Sequence, residues 1–369
     1  MRFHHCVLAG VLCCAAGTAA WAERLPERLT LDGAIDQALR HNPTVQTAAT
    51  RVRERAGEAV AAGRPTPSNP RLELETARRD APDDTTTDVG IRIAQEFWTA
   101  DKGELARKAA EARTTGARER LGYLRTAVTA RTRRAFLELL AAREAVTTGE
   151  RALELAQEVA DYSRRRLEAG EANRLEVNSA ELAVGQARAA LAAARRERER
   201  ARLDLTELLA ADPADGFEAA GRLAPVQLDL PDRNRLLTRA LQRRKDLAAA
   251  AQSVAAARED LNLAEQQVVP NLTAFGFYKE EEAAEVAGVG VSVPLPLLYR
   301  YDGEQQAAAA RLERAQVETD AARRRVRREV LAALADYRAA RARLEAVSGG
   351  MLAAAEENVR LTQTAVRAG

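Results

Sequence analysis

After residue 14 the 369-residue chain contains no cysteine, and after residue 5 it contains a single histidine, His41. Everything downstream therefore works without a disulfide, a nucleophilic thiol or a His/Cys metal cluster. Aromatic residues make up only 4%, too few for the large side chains that usually fill a compact core. No run of 18 apolar residues follows residue 22, so no transmembrane helix is expected. The sequence also lacks a glycine-rich phosphate loop, a nucleophile elbow and a supported carboxylate pair, the constellations an enzyme would need. No catalytic, cofactor-binding or metal-binding residue is assigned. Charge of one sign is missing too: 56 Lys+Arg stand against 54 Asp+Glu, a net +2. The basic run Arg323, Arg324, Arg325, Arg327 and Arg328 is interleaved with Glu313, Glu318, Asp320 and Glu329. That reads as a mixed-charge helical surface and gives no reason to expect a nucleic-acid partner.

What is present begins with an export signal. Arg2 supplies a positive end, Val7–Ala16 an apolar stretch, and Ala20-Trp21-Ala22 a small-x-small cleavage pattern, so residues 1–22 read as a signal peptide. Lipidation at Cys13 or Cys14 is the weaker alternative, because Leu12 and Cys13 stand where lipoprotein processing wants a small residue.

The rest of the chain repeats itself at about 200 residues. Val89-Gly90-Ile91-Arg92-Ile93 lines up with Val289-Gly290-Val291-Ser292-Val293, Pro70 with Pro270, Phe97 with Leu297 and Gly103-Glu104 with Gly303-Glu304. Such self-similarity marks a duplicated structural unit. The expected division is a first repeat over 23–211, a linker over 212–231, and a second repeat over 232–369 that stops before its last helix. Each repeat opens with a helix: Leu31 to about Gly63, broken at Pro43, and Asp232 to about Val269. Two short strands follow. In the second of each pair, Val89, Ile91 and Ile93, like Val289, Val291 and Val293, alternate with polar or small residues. Period two with one apolar face suits a half-buried strand, and equally a barrel strand with lipid outside and water inside. The polar segments Ala77–Thr87 and Lys279–Glu285 read as solvent-facing turns.

Long helices come next. Glu104–Glu168 contains no proline and carries the apolar stripe Leu124, Val128, Ala135, Leu139, Ala142, Val146, Leu153, Ala156 and Ala160. At 1.5 Å per residue it spans roughly 100 Å. A return helix, about Asn173–Ala210, follows the turn Glu168-Ala169-Gly170-Glu171-Ala172, in which Gly170 suits a C-terminal cap. A second long helix is expected from about Glu304 to Arg367. The fold class is mainly α with a small β part: long antiparallel coiled-coil helices plus four strands per chain. Four strands cannot close a barrel, whereas three copies supply twelve.

Several segments resemble the outer-membrane efflux (TolC-type) family. Leu29-Thr30-Leu31-Asp32-Gly33-Ala34-Ile35, with Ala38-Leu39 and Asn42-Pro43, resembles that family's first helix, and Arg244-Lys245-Asp246-Leu247 its second-repeat opening, with Lys245 where a proline is usual. Ser68-Asn69-Pro70-Arg71-Leu72, Pro270-Asn271-Leu272 and Pro294-Leu295-Pro296-Leu297 resemble the heavy-metal (cobalt–zinc–cadmium resistance) branch. Gln95-Glu96-Phe97-Trp98 departs from its prolines and glycines.

The resemblance implies a homotrimeric duct without catalysis. It would cross the outer membrane on a 12-stranded barrel in contact with lipid and extend into the periplasm. There it would meet a periplasmic adaptor and a proton-driven inner-membrane pump exporting heavy-metal cations. Arg164, Arg165, Arg166, Gly170 and Leu175 would form the adaptor-contact tip. Asp161, Glu168 and Glu171 are candidates for a charged entrance, and Val89, Ile91, Ile93, Val289, Val291 and Val293 for lipid-facing positions. The alternative is a soluble periplasmic coiled-coil adaptor or scaffold, which has no need of strands with a lipid-compatible face.

Overall fold

A computed structural model describes residues 25–81, 84–226, 228–281 and 284–368. The expected signal peptide with Cys13 and Cys14, the turn acids Asp83 and Glu282, and Gly369 lie outside the described residues.

Helix α1 (Leu31–His41) begins where the Thr30 hydroxyl accepts the Gly33 amide at 3.2 Å, an N-cap in the usual sense. Pro43 opens α2 (Pro43–Ala62), as its missing N–H and fixed φ favour at a first turn. Between them Asn42 is extended and buried. Its Oδ1 accepts from the Thr44 amide at 3.0 Å, and its Nδ2 donates to the Leu208 carbonyl at 3.0 Å.

The second repeat shows the same break without a proline. A single helix was expected over 232–269; instead α5 (Arg233–Arg243) and α6 (Lys245–Gln266) meet at Arg244. Its φ of −71° and ψ of 122° nearly match Asn42 at −60° and 125°. The guanidinium of Arg244 is held by Asp246 at 2.8 Å and by Glu329 of the second long helix at 2.5 Å. A tertiary ion-pair network here does the work that a proline does in the first repeat.

Four strands form an antiparallel sheet in the order β2–β3–β5–β6: Arg71–Ala81, Asp84–Phe97, Leu272–Glu281 and Ala284–Ser292. The polar segments expected as turns are strand along most of their length. Register explains why. Arg79 pairs with Thr86 in the ladder and reaches Asp88 at 3.0 Å, while the Thr85 hydroxyl donates to Asp80 at 3.1 Å. These polar side chains find partners across the hairpin, so hydrophobicity is not needed to continue it.

Helix α3 (Lys102–Glu168) packs along α4 (Arg174–Leu209). Six of the nine positions in the expected α3 stripe are buried, and Leu124, Leu153 and Ala156 are half-buried. The turn skipped at Arg131 is filled by Thr132, which is fully buried. Halfway along α3 the larger side chains gather: Phe136, Leu139 and Leu140 meet Leu205, Leu209, Phe217 and Leu29. There β1 (Arg28–Leu29) pairs in parallel with β4 (Glu218–Ala219), a two-residue ladder that binds the segment before α1 to the linker. The linker pattern carried no sign of this ladder.

The second long helix is not continuous. Helix α7 (Asp302–Ala346) passes through a π-helical kink at Val347–Met351 into α8 (Leu352–Ala368). Gly350 sits at φ +131°, and Gly349 also leaves helical geometry. Two adjacent glycines permit a break that the glycine and polar pair at the matching place in α3, Gly149-Glu150, does not make.

Phe136, 1% exposed, is the largest fully buried side chain of the central cluster. Phe136→Ala should cost about 3–5 kcal/mol, whereas the exposed neighbour Leu137→Ala should change stability by only about 0.5 kcal/mol. Thermal unfolding followed by circular dichroism in detergent would read both.

Candidate functional site: an amphipathic sheet on a helical wall

The ladder registers sort the sheet into two faces. Leu72 pairs with Ile93, Leu74 with Ile91, Ile91 with Tyr278, and Gly276 with Val289. Paired residues share a face, so Leu72, Leu74, Val89, Ile91, Ile93, Tyr278, Val289 and Val291 form one apolar surface. It is exposed throughout the isolated chain, Val289 to 90%. Towards the hairpin ends the same face turns polar at Thr76, Arg78 and Asp80. Val293 falls one residue beyond β6, which ends at Ser292; Pro294 follows and has no N–H to extend a ladder.

The opposite face carries Arg71, Glu73, Glu75, Arg92 and Lys279. Lys279 reaches Glu75 at 3.8 Å. Phe275 and Phe277 lie here and not with the valines, because they pair with Gly290 and Gly288 and alternate with Gly276. Their rings lie across those glycines: a Cβ on Gly290 would come within 2.5 Å of the Phe275 ring, and one on Gly288 within 2.6 Å of the Phe277 ring. Arg92 stacks on Phe275 at 3.9 Å. The polar surface is therefore low in relief, and its aromatics are shielded by a cation. In the sequence Phe275 and Phe277 flank Gly276, and with Tyr278 next to Phe277 no clean alternation announces this placement.

Below the sheet, α2, α3, α6 and α7 each pack against the next. All four line one trough of ≈ 1110 Å³, which makes this the concave side of the layer. Its walls carry Arg51, Arg55, Arg113, Arg120, Arg311, Arg314 and Arg325 against Asp246, Asp260 and Glu318. Arg113 is paired with Asp260, Arg55 with Glu58 at 2.6 Å and Arg314 with Glu318 at 3.8 Å. Arg51, Arg120, Arg311 and Arg325 make no ion pair among the described residues, so the concave wall is net positive.

At the far end, 67 residues from the strands, α3 stops in a Schellman turn. Gly170 adopts φ +77°, its amide donates to Leu167 O at 3.0 Å, and the Glu171 amide donates to Arg166 O at 2.8 Å. Asn173 caps α4 by accepting from the Glu176 amide at 3.0 Å. Arg166 braces the turn through Glu171 O at 2.8 Å and Glu176 at 3.6 Å. Arg164 is paired with Asp161 at 2.6 Å and Glu181 at 3.4 Å. Arg165, Glu168 and Glu171 have exposed, unpaired charges among the described residues, and Leu175 is exposed. The structure thus brings all the expected tip residues together, but Asp161 is already neutralised by Arg164.

No local sequence pattern marks the junction between sheet and helices. Lys102, 2% exposed, donates to Val269 O and to Asn271 Oδ1 at 3.0 Å. Burial pushes its ammonium below the usual lysine range, and Glu96 opposes that. The partners lie more than 160 residues apart, so no local pattern announces them.

An amphipathic antiparallel sheet with two open edges, carried on paired helices far longer than a globular core requires, fits a membrane-channel protein with a helical extension. The chain belongs to the outer membrane efflux protein family, which matches residues 34–211 and 236–369. It is 30% identical over 345 residues to Protein CyaE of Bordetella pertussis, covering 88% of this chain and 72% of that one. In three dimensions it resembles the outer membrane protein VceC of Vibrio cholerae (TM-score 0.75, 18% identity, 88% and 83% of the two chains). It also resembles the open state of the MtrE outer membrane channel of Neisseria gonorrhoeae (TM-score 0.76, 19% identity, 92% and 80%). The mainly helical, TolC-like fold is thereby established.

Val291 lies on the apolar face and Ser292 on the polar one. Ile91→Arg, at the centre of β3 on that same apolar face, should cost about 2–4 kcal/mol per chain at mid-membrane depth and deplete the protein from the outer-membrane fraction. Ser292→Arg should leave the fractionation pattern unchanged.

Proposed function

We propose that the chain is the outer-membrane subunit of a tripartite efflux system, acting as a passive homotrimeric duct. The observation that carries this is the sheet: one exposed apolar face, one polar face and two open edges, in a member of the outer membrane efflux protein family. In this reading the apolar face meets lipid, the polar face with Arg92 and Lys279 lines water, and the concave helical trough continues the conduit into the periplasm. The tip around Arg164, Arg165, Arg166, Gly170 and Leu175 meets a periplasmic adaptor, which couples the duct to a proton-driven inner-membrane pump. Glu168 and Glu171 are the acids left to colour the entrance. The chain performs no chemistry; energy and selection reside in the pump. A soluble adaptor or scaffold would gain nothing from so large an exposed apolar sheet face.

Heavy-metal cations are the proposed cargo, supported by the Pro294-Leu295-Pro296-Leu297 and Ser68-to-Leu72 segments. The arginine-rich trough repels a bare divalent ion, so the metal passes with anions or as a complex.

Two measurements test this reading. The full-length protein should fractionate with the outer membrane as a trimer that dissociates on heating; recovery only from the soluble periplasm would sink the duct. Deleting the gene should raise sensitivity to zinc, cobalt or cadmium; unchanged metal sensitivity with impaired export of other compounds would remove the metal cargo and leave the duct standing.

A further inference from the structure

The β3–α3 junction is filled from within the chain. The Thr99 hydroxyl donates to Pro270 O at 2.7 Å, Lys102 grips Val269 O and Asn271 Oδ1, and Asn271 Nδ2 donates to Glu96 at 2.8 Å. Repeat one's strand-to-helix junction thus clasps repeat two's helix-to-strand turn.

The 200-residue offset maps this clasp onto a second pair of surfaces. Trp98, Thr99 and Lys102 correspond to Leu298, Tyr299 and Asp302, and Val269-Pro270-Asn271 to Asn69-Pro70-Arg71. The backbones agree: Asp101 before α3 lies at φ 57°, ψ 17°, and Tyr301 before α7 at φ 62°, ψ 22°, both left-handed. The second clasp cannot close within one chain, because its halves belong to β2 and β6, the two outer strands of the sheet. Both halves are exposed. Leu298 is 102% exposed, and Asp302, Asn69, Pro70 and Arg71 are all at the surface. Their charges are complementary where the intrachain pair is not. Asp302 makes no ion pair among the described residues, and Arg71 reaches Glu73 only at 4.0 Å.

We propose that the β6–α7 junction of one copy clasps the α2–β2 turn of the next, with Asp302 paired to the neighbour's Arg71 in the place where Lys102 holds Asn271. The contact is head-to-tail and closes a ring when each copy repeats it. It deepens the duct reading and rests on it by naming the side chains that join the copies. A periplasmic adaptor or lipid covering the same exposed residues are the rival occupants.

The mature chain has no native cysteine after Cys14, which permits a direct test in purified detergent-solubilised protein. Arg71→Cys combined with Asp302→Cys, treated with a short thiol cross-linker, should give two- and three-chain species on a denaturing gel. Lys102→Cys with Asn271→Cys should cross-link within one chain and give no ladder. Separately, Arg71→Asp or Asp302→Arg should each lower the trimer fraction by about tenfold or more, as loss of a buried charge pair does, and the double exchange should restore it. Native mass spectrometry separates the two possible failures. Trimers that form without the interchain cross-link, or that ignore the single charge reversals, overturn the clasp and leave the duct; wild-type protein without trimers overturns both. If a single reversal fails to fold, the cysteine pair decides.

Discussion

Open edges govern this structure. An antiparallel sheet of four strands leaves the outer backbones of β2 and β6 without ladder partners, and in hydrocarbon each unsatisfied N–H or C=O costs several kcal/mol. Water could satisfy those edges, but water is poor company for the apolar face that runs from Leu72 to Val291. The two requirements conflict for a single chain in any environment. Both requirements would be met if further copies supplied the missing strands and lipid covered the face, which is the arrangement the proposed duct provides. The low relief of the polar face fits the same scheme. Phe275 and Phe277 lie flat over Gly290 and Gly288, so large side chains strengthen the sheet without standing up into an enclosed space.

The helices answer a different constraint. A wall one helix thick has no interior; its apolar contacts are seams, and narrow seams favour alanine over phenylalanine. That accounts for both the scarcity of aromatics and the near-cancelling charges, since each helix shows water two faces. The exception marks its own cause. Around Phe136, α1 and the end of α4 join α3 together with β1 and β4, the wall thickens locally, and larger residues return. On the concave side the arginines outnumber the acids while seams on either flank remain alanine-lined. Charge composition summed over the chain hides this asymmetry completely.

How much was readable in the sequence depended on whether the determinant was local. The Thr30 cap, the Pro43 break, the Gly170 turn and the alternation of Val89, Ile91 and Ile93 each act within a few residues, and each was legible. The strand ends were not, because Arg79, Asp80, Thr85 and Asp88 look like loop residues until they face one another across a hairpin. Nor was the break at Arg244, whose cause lies at Glu329, or the buried position of Lys102, whose partners are Val269 and Asn271. Gly349-Gly350 was visible as a pair of glycines, yet glycine permits a kink without dictating one. Of the candidate site, the tip turn and the two faces of β3 could be read from the chain; the positive trough could not, because its arginines come from α2, α3 and α7 and share a surface only after packing.

Comparing the two repeats separates what the backbone requires from what the neighbours require. At Asn42 and Arg244, and again at Asp101 and Tyr301, the dihedral angles nearly coincide while the side chains are unrelated. Geometry is therefore held by the architecture, and the residue chosen at each place answers to what it touches. Asn42 faces a carbonyl at the end of α4 and carries an amide; Arg244 faces Asp246 and Glu329 and carries a guanidinium. Lys102 faces one backbone carbonyl and one side-chain amide within its own chain. Asp302, at the same backbone position, faces none of these, and the chain holds an exposed arginine, Arg71, at the matching place on its far edge. A carboxylate where repeat one has an ammonium is then the substitution expected of a duplicated unit whose second junction answers to another copy.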